Sequence, residues 1–182
     1  MSAAGQRGAG LIEVSISLLV LSIGTLGLGS LQIAAKRTGF EATQRTHAAA
    51  LAMDLLERMR ANRAALPDYA VAGIGGAAGA SVPAPAVDCG SDPCSPVELQ
   101  HWDLWHWEQA LDGVTSGDGE GGLVRPMACI TMNGREVTVD IAWQGFRAVS
   151  EQNLNVRCGV GRYGPGDAER VWLRMTSWIG EQ

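Results

Sequence analysis

Histidine and charged side chains are scarce in this sequence. Its 182 residues include three histidines, and 18% are Asp, Glu, Lys or Arg. It has no nucleophile-elbow motif, no phosphate-binding loop and no HExxH pair. A literal G-x-G-x-x-G match at 159–164 is followed by Pro165 and Gly166, where a dinucleotide site needs a helix start, and it indicates a turn-rich loop. The sequence therefore predicts a protein that is not an enzyme and that binds no cofactor or metal.

Clustered basic residues and repeated hydrophobic runs are also lacking. The net charge is -5, and from residue 64 to the end 15 acidic residues stand against 7 basic ones. A nucleic-acid binder needs clustered cations to displace counterions, so that class is excluded. Only one segment is apolar enough to cross a bilayer, which excludes a multi-span membrane protein. With 46% apolar residues, the chain is not fully disordered either.

One long apolar run is present near the amino terminus. Val14–Ala35 is uncharged for 22 residues, and as a helix it is roughly 33 Å long, enough to cross a hydrocarbon core of ~30 Å. Glu13 stands directly before it. A cleaved signal peptide with a small-residue site at Ala34 and Ala35 is an alternative, but this run is too long for one. The sequence predicts a retained membrane helix whose carboxylate needs a partner, because an unpaired acid in lipid costs several kcal/mol by order of magnitude.

All four cysteines lie after the apolar run. An even number, Cys89, Cys94, Cys129 and Cys158, is consistent with two disulfides in an oxidising compartment, which places the head outside the cytoplasm. Of the three connectivities, the pairs 89–94 and 129–158 are favoured, since the first two cysteines are close in sequence. A four-cysteine zinc site is the competing interpretation, but structural zinc prefers two tight knuckles.

Helical periodicity continues beyond the membrane run. An amphipathic stripe recurs at i, i+3, i+4, i+7 and i+11 as Ala48, Leu51, Ala52, Leu55 and Met59. Pro67 forces the residue before it out of helical geometry, so we expect this amphipathic half, 36–66, to end at Leu66. The Gly-, Ala- and Pro-rich segment 67–97 that follows predicts a linker loop.

The remainder, 98–182, predicts a globular α+β head. Glu98–Leu111 is expected to form a short, largely buried helix carrying three tryptophans. Ala128–Met132, the Asn133-Gly134 turn and Arg135–Trp143 predict a β-hairpin, and the alternation of Val171, Leu173 and Met175 predicts a further strand. The expected architecture is a long helix packed on a small antiparallel sheet of three or four strands, with loops held by the disulfides.

Two groups of polar residues could be considered as metal ligands. His101, Asp103 and His106 do not share one helix face, and we expect them to be rim residues. Asp118 and Glu120 lie in the loop 113–122, which lacks the ligand spacing of a calcium site.

Residues 8–14, Gly-Ala-Gly-Leu-Ile-Glu-Val, followed by a long apolar helix, resemble the type III signal of type IV pilins, usually Gly-Phe-Thr-Leu-Ile-Glu. In that family a membrane peptidase cuts after the glycine and methylates the new amino terminus. The resemblance implies a leader at 1–8, cleavage between Gly8 and Ala9, and N-methylation of Ala9. It also implies that Glu13 pairs with the amine of its own or a neighbouring subunit, and that the membrane half of the helix is 9–35.

Within that superfamily the chain is most similar to the PilV family of minor pilins, the type IV pilus modification proteins. The similar segments are Ala-Leu-Ala-Met-Asp-Leu-Leu-Glu-Arg-Met-Arg-Ala-Asn at 50–62, Trp-Glu-Gln-Ala-Leu at 107–111 and Val-Asp-Ile-Ala-Trp-Gln-Gly at 139–145. This similarity implies an inner-membrane subunit, later assembled in the pilus, that initiates assembly and supports twitching motility and adhesion. The implied partners are other minor pilins, the major pilin, the prepilin peptidase, the inner-membrane assembly platform and a large tip adhesin.

Two alternatives remain open on the sequence. A minor pseudopilin of a type II secretion system would share the signal and the long helix. A membrane-anchored periplasmic binding module would keep its original amino terminus.

Overall fold

The computed structural model describes residues 10–114, 122–148 and 156–180. The chain divides into two compact units, Met1–Phe40 and Glu41–Gln182. In chain order the elements are helix α1 (Leu11–Ala61), a 3-10 helix (Arg63–Tyr69), strand β1 (Val71–Ile74), helix α2 (Pro96–Asp112), strands β2 (Met127–Asn133) and β3 (Glu136–Gln144), a short 3-10 turn (Pro165–Asp167) and strand β4 (Arg170–Trp178).

The four strands form one antiparallel sheet in the order β1-β2-β3-β4. The predicted hairpin is present, with Asn133 opposite Glu136 at its closed end. Gly134 in its turn has φ +61°, a left-handed conformation that glycine adopts without a Cβ clash. Trp143 ends the row of alternating β3 side chains that face the core, and it is 2% exposed.

The core of the head lies between the second half of α1, helix α2 and one face of the sheet. The predicted stripe on α1 is buried there, from Ala48 to Met59, in one cluster with the inward side chains of β3. Trp107 of α2 is fully buried, and its indole Nε1 donates to the carbonyl of Leu51 at 2.8 Å. Gln44 is also buried, and its amide donates to the carbonyl of Gly122 and accepts from the N–H of Val124. Apolar burial and these polar contacts together fix α1 in the head.

Local sequence explains where α2 begins and ends. Ser95 and Glu98 form a capping box in which each side chain bonds the backbone N–H of the other, and Pro96 occupies the first turn. The hydrogen bonds from Ser95 lower the pKa of the Glu98 carboxyl. Gly113 ends the helix in a left-handed conformation at φ +81°.

The expected end of α1 at Leu66 is wrong. The α-helix ends at Ala61, because Asn62 leaves helical geometry at φ -114° and ψ 54°. The chain continues as a 3-10 helix that contains Pro67, whose carbonyl accepts the N–H of Ala70. The chain therefore leaves α-helical geometry at Asn62, five residues before Pro67, and the proline itself is accommodated within the 3-10 helix.

The interpretation of 67–97 as a linker loop is wrong for its first part. Val71–Ile74 is an edge strand that pairs with β2, with Val71 opposite Ile130 and Ile74 opposite Ala128. The register shifts between those pairs. A four-residue strand with a bulge leaves too short an alternation to be recognised among the surrounding glycines and alanines.

Asp103 is not the rim residue that we expected. It is 6% exposed, and its two carboxylate oxygens accept from Arg58 Nη1 at 3.1 Å and from the Tyr69 hydroxyl at 2.6 Å. Asn62 donates to the same hydroxyl and to the carbonyl of Pro96. Burial, and then the bond to Asp103, raise the pKa of Tyr69. This network joins α1, the 3-10 helix and α2 through groups that satisfy one another.

The two disulfides have the connectivity that the sequence favours. Cys89 pairs with Cys94 in the loop before α2, with Cα atoms 5.5 Å apart. Cys129 of β2 pairs with Cys158, 29 residues later in the chain, at a Cα separation of 5.8 Å. The second disulfide attaches the segment between β3 and β4 to the sheet.

The buried network predicts different effects for two aspartates that contact the same arginine. We expect Asp103→Ala to lower the free energy of unfolding of the head by about 2–3 kcal/mol, because the buried Tyr69 hydroxyl loses its acceptor and the half-buried Arg58 guanidinium keeps only its exposed partner Asp54. Asp54→Ala removes an exposed partner of Arg58 and should cost less than about 1 kcal/mol. Denaturant unfolding followed by tryptophan fluorescence measures both, and equal losses would contradict this role of Asp103.

The loop lengths predict different contributions from the two disulfides. In the chain-entropy model, removing the 129–158 pair by a double Cys→Ser replacement should cost about 3.5 kcal/mol, and removing the 89–94 pair about 2 kcal/mol. The measurement is the denaturation midpoint of each double variant beside the unaltered chain. A larger loss from the 89–94 pair would contradict the ordering.

Candidate membrane anchor and assembly helix

Helix α1 begins close to the residues of the predicted processing signal. The carbonyl of Gly10 accepts the N–H groups of Glu13 at 2.9 Å and Val14 at 3.3 Å, which closes the first turn. Gly8 and Ala9, the predicted cleavage and methylation sites, lie outside the described residues. Glu13 itself is exposed and lies in the first helical turn, where the helix dipole favours a negative charge.

The first part of α1 exposes its large apolar side chains. They are exposed by 48–90% and are Leu11, Ile12, Val14, Ile16, Leu18, Leu19, Val20, Leu21, Ile23, Leu26, Leu28, Leu31 and Ile33. By length and composition this helix can cross a membrane. A continuous apolar surface of this size marks a membrane or protein contact rather than a water-facing surface.

The hydroxyl groups of this segment are satisfied by the helix itself. Five of them donate to carbonyls three or four residues earlier at 2.7–3.0 Å, and they belong to Ser15, Ser17, Ser22, Thr25 and Ser30. Such bonds let hydroxyl-bearing residues enter hydrocarbon without an unpaired donor. Glu13 is the only charged side chain from residue 10 to residue 35. Its carboxylate is therefore the charge that a lipid environment leaves uncompensated.

Small residues share the helix face of Glu13. Ser17, Gly24 and Gly27 follow at i+4, i+11 and i+14, positions that recur on one side of an α-helix. A Cβ built on Gly24 or Gly27 would meet no atom within 4 Å. A second helix can approach this face closely, as small residues allow in membrane helix pairs.

The structure does not bring the predicted polar candidates together into a site. His101 contacts the carbonyl of Pro83 through Nε2 at 3.0 Å. His106 packs against Trp102 with ring centroids 4.3 Å apart, and both side chains are half-buried rather than in the core. Among the described residues no three His, Cys, Asp or Glu side chains form a group that could hold a metal ion. Asp118 and Glu120 lie outside the described residues.

The glycine-rich loop at 159–164 is closed by its own carboxylate. The N–H groups of Gly161 and Tyr163 donate to the side chain of Asp167, at 2.7–2.8 Å and 3.2 Å respectively. The Tyr163 hydroxyl is buried under the loop and donates to the carbonyl of Ala142. Burial raises the pKa of Tyr163. The loop thus has the structural role that the proline and glycine after it indicate.

The sequence analysis did not identify the buried carboxylate of Glu108 on α2. Glu108 is 1% exposed, and its oxygens accept the backbone N–H of Gly75 at 2.9 Å and of Val82 at 2.6 Å. Asp112, one turn later on α2, accepts from Gly76 at 2.8 Å. The sequence offers one indication of these contacts. Glu108 and Asp112 are spaced i, i+4 on α2, and a glycine-rich segment with backbone N–H groups to be satisfied precedes the helix. These contacts hold the loop after β1 against α2.

Comparison with protein families identifies a model that matches part of the chain. Residues 30–105 match the family described as Tt1218-like, Type IV pilin Tt1218. The matched range includes the amphipathic part of α1, strand β1, the Cys89–Cys94 disulfide and the beginning of α2. No curated protein and no solved structure matches the chain.

The fold agrees with the matched family. A long amino-terminal helix with an apolar first part, a small antiparallel sheet and two disulfides are the features of a pilin-like α+β fold. Residues 30–105 are therefore similar to type IV pilins, and the chain as described has a pilin-like α+β fold.

Proposed function

We propose that this protein is a minor pilin of a type IV pilus. The observation that carries the proposal is the exposed apolar part of α1 with Glu13 as its one charge. In the bilayer of the inner membrane this segment is the anchor, and the head, with its two disulfides, lies in the oxidising periplasm. In the filament the same apolar surface packs against the helices of other pilins.

Processing of the amino terminus creates the cation that Glu13 needs. The prepilin peptidase removes the leader 1–8 between Gly8 and Ala9 and methylates the amine of Ala9. An N-methylated amine remains protonated, so it provides a positive charge at the end of α1 near the carboxylate. An opposite charge within about 4–6 Å favours the ionised carboxylate even in a low-dielectric environment. We propose that the amine which pairs with Glu13 belongs to a neighbouring subunit, and such a pair favours the assembled state over an isolated subunit in lipid.

The small residues on the Glu13 face support helix packing in the filament. Ser17, Gly24 and Gly27 leave room for the backbone of a neighbouring helix. We propose other minor pilins and the major pilin as the partners at this face. In this proposal the protein initiates assembly on the inner-membrane platform, carries a tip adhesin, and supports twitching motility and surface attachment. Its role is structural, without catalysis.

Two other assignments fit parts of the same geometry. A minor pseudopilin of a type II secretion system would use the same anchor, the same processing and the same carboxylate. Deleting the gene separates the two, since loss of pili with normal secretion supports the pilus assignment. A membrane-anchored binding module would need the anchor but neither cleavage nor Glu13.

The first prediction concerns the amino terminus. Protein isolated from cells that make pili should lack residues 1–8 and carry one additional methyl group on Ala9. Intact-mass measurement combined with amino-terminal sequencing checks both changes. Protein from the same strain without its prepilin peptidase is the control and should keep Met1. An unprocessed amino terminus in pilus-forming cells would contradict the proposal.

The second prediction concerns the carboxylate. Glu13→Ala should be processed normally, since the peptide bond after Gly8 is unchanged, but it should not enter pili. Immunoblots of sheared pili and of membranes measure the two pools. The matched control is Glu41→Ala, which removes a glutamate of the same helix from the head unit. It should be recovered in pili at the wild-type level. Equal recovery of both variants would show that the charge of Glu13 is dispensable.

A further inference from the structure

The sheet has a second face, which is turned away from the core. Residues of β2, β3 and β4 lie on it in register, and they form three rows across the strands. The rows are Asn133–Glu136–Trp178, Thr131–Thr138–Thr176 and Cys129–Asp140–Arg174. Alternate residues such as Val137 and Val139 are fully buried in the core on the opposite face. We call these three rows the outer face.

The outer face is open at the hairpin end. At its other end it is bounded by the Cys129–Cys158 disulfide and, in the next row along the strands, by the side chain of Tyr163, which packs on Ala142. Against it lies a cavity of about 390 Å³, lined by Ala72, Thr131, Asp140 and Arg174 and by Arg157 beside the disulfide. Its volume is within the range of small-ligand sites.

Among the residues that the structure describes, the cavity lining has two arginines and one aspartate, which leaves one positive charge without a counter-ion. Arg174 forms a two-point ion pair with Asp140, with Nε–Oδ1 at 2.7 Å and Nη2–Oδ2 at 2.8 Å, so both carboxylate oxygens are occupied. Within residues 10–114, 122–148 and 156–180, the guanidinium of Arg157 has no hydrogen-bond or ion-pair partner. This cation stands on a head in which acidic residues are in excess. The site is therefore suited to one anionic group rather than to a polyanion such as nucleic acid.

The open end of the outer face presents an exposed aromatic ring. Trp178 is 66% exposed. It lies four residues from Arg174 on β4, which is roughly 13 Å along a strand. Between them is the threonine row, in which the hydroxyls of Thr138 and Thr176 lie 3.2 Å apart. An aromatic plane and a row of hydroxyls thus lead along the strands to the row of Arg174, which lines the same cavity as Arg157.

We propose that the outer face binds an acidic oligosaccharide. Its carboxylate enters the cavity and pairs with Arg157, its hydroxyls contact the threonine row, and a sugar ring stacks on Trp178. Sugar rings have apolar faces that suit an exposed indole, and their hydroxyls match side chains that both donate and accept. A planar guanidinium binds a carboxylate through two parallel hydrogen bonds. This binding is a property of the head and requires neither cleavage of the leader nor entry into a filament.

The test is isothermal titration of the full-length protein in detergent micelles. The probes are trisaccharides of mannuronate and of galacturonate, with neutral mannotriose as the control. We expect at least one uronate trisaccharide to bind and mannotriose to bind at least about tenfold more weakly, the range that a charge-assisted hydrogen bond provides. Added salt should weaken the uronate binding.

Variants assign the binding to the outer face. Arg157→Gln and Trp178→Ala should each weaken uronate binding by about tenfold or more, while Arg157→Lys should retain part of it. Arg45→Gln is the matched control, because it removes an exposed guanidinium from α1 and should leave binding unchanged. Far-UV circular dichroism and the denaturation midpoint of each variant should equal those of the unaltered chain, since Arg157 and Trp178 are exposed.

Several results would overturn the proposal. One is that neither uronate binds. Another is equal binding of triglutamate, which would identify an acidic-peptide site, and a third is equal binding of inorganic sulfate, which would identify an anion site only. Unchanged affinity in Arg157→Gln would place the ligand elsewhere. None of these results depends on the amino-terminal mass or on pilus recovery, so they are separate from the test of the proposed function.

Discussion

The membrane half of α1 combines a bilayer-length apolar surface with one carboxylate at its start. The serine and threonine hydroxyls of this segment are satisfied by carbonyls of their own helix, so lipid imposes little cost on them. An unpaired acid costs about 2.5–3.5 kcal/mol at the centre of a membrane helix on insertion scales, and less toward its ends, where Glu13 stands. A state in which a cation lies near Glu13 is more stable than a state without one, because the cation attracts the carboxylate. In our proposal that state is the filament, and the cation is the methylated amine.

The head is organised by buried polar side chains that each join separate elements. Asp103 connects α1, α2 and the 3-10 helix, Glu108 connects α2 to the loop after β1, and Gln44 connects α1 to the chain before β2. Each is hydrogen-bonded, so its burial is compatible with stability and selects one arrangement of the elements. The Cys129–Cys158 disulfide adds a covalent link between β2 and the residues around Cys158. Trp178 lies on β4 and Arg157 is next to the disulfide-bonded Cys158, so both residues are attached to the sheet.

Much of the fold follows from local sequence patterns. The stripe from Ala48 to Met59 and the alternation in β3 are each periodic within one element, and the structure has both. The predicted hairpin is also present, but its turn is Gly134-Arg135, one residue later than predicted, because Asn133 still pairs with Glu136. The short strand Val71–Ile74 was not recognised, because a four-residue bulged edge strand takes its shape from β2 rather than from its own sequence.

Some features of the candidate site follow from local sequence, and others depend on tertiary contacts. The position of Glu13 before an apolar run is a local pattern, and the sequence predicts it directly. The burial of Asp103 depends on Tyr69 and Arg58, which are 34 and 45 residues away. The outer face likewise requires the register of three strands and the position of Arg157, which lies outside them. Contacts of this kind are set by tertiary packing, and no spacing within one element encodes them.

The most direct measurement of the central claim is the distance between the Glu13 carboxylate carbon and the nearest backbone amine nitrogen in assembled filaments. Solid-state NMR with carbon-13 in the glutamate carboxyl groups and nitrogen-15 at the amino terminus gives that distance and the ionisation state together. The account predicts an ionised carboxylate within about 4–6 Å of the methylated amine. A protonated Glu13 with no amine nitrogen within that distance would contradict it.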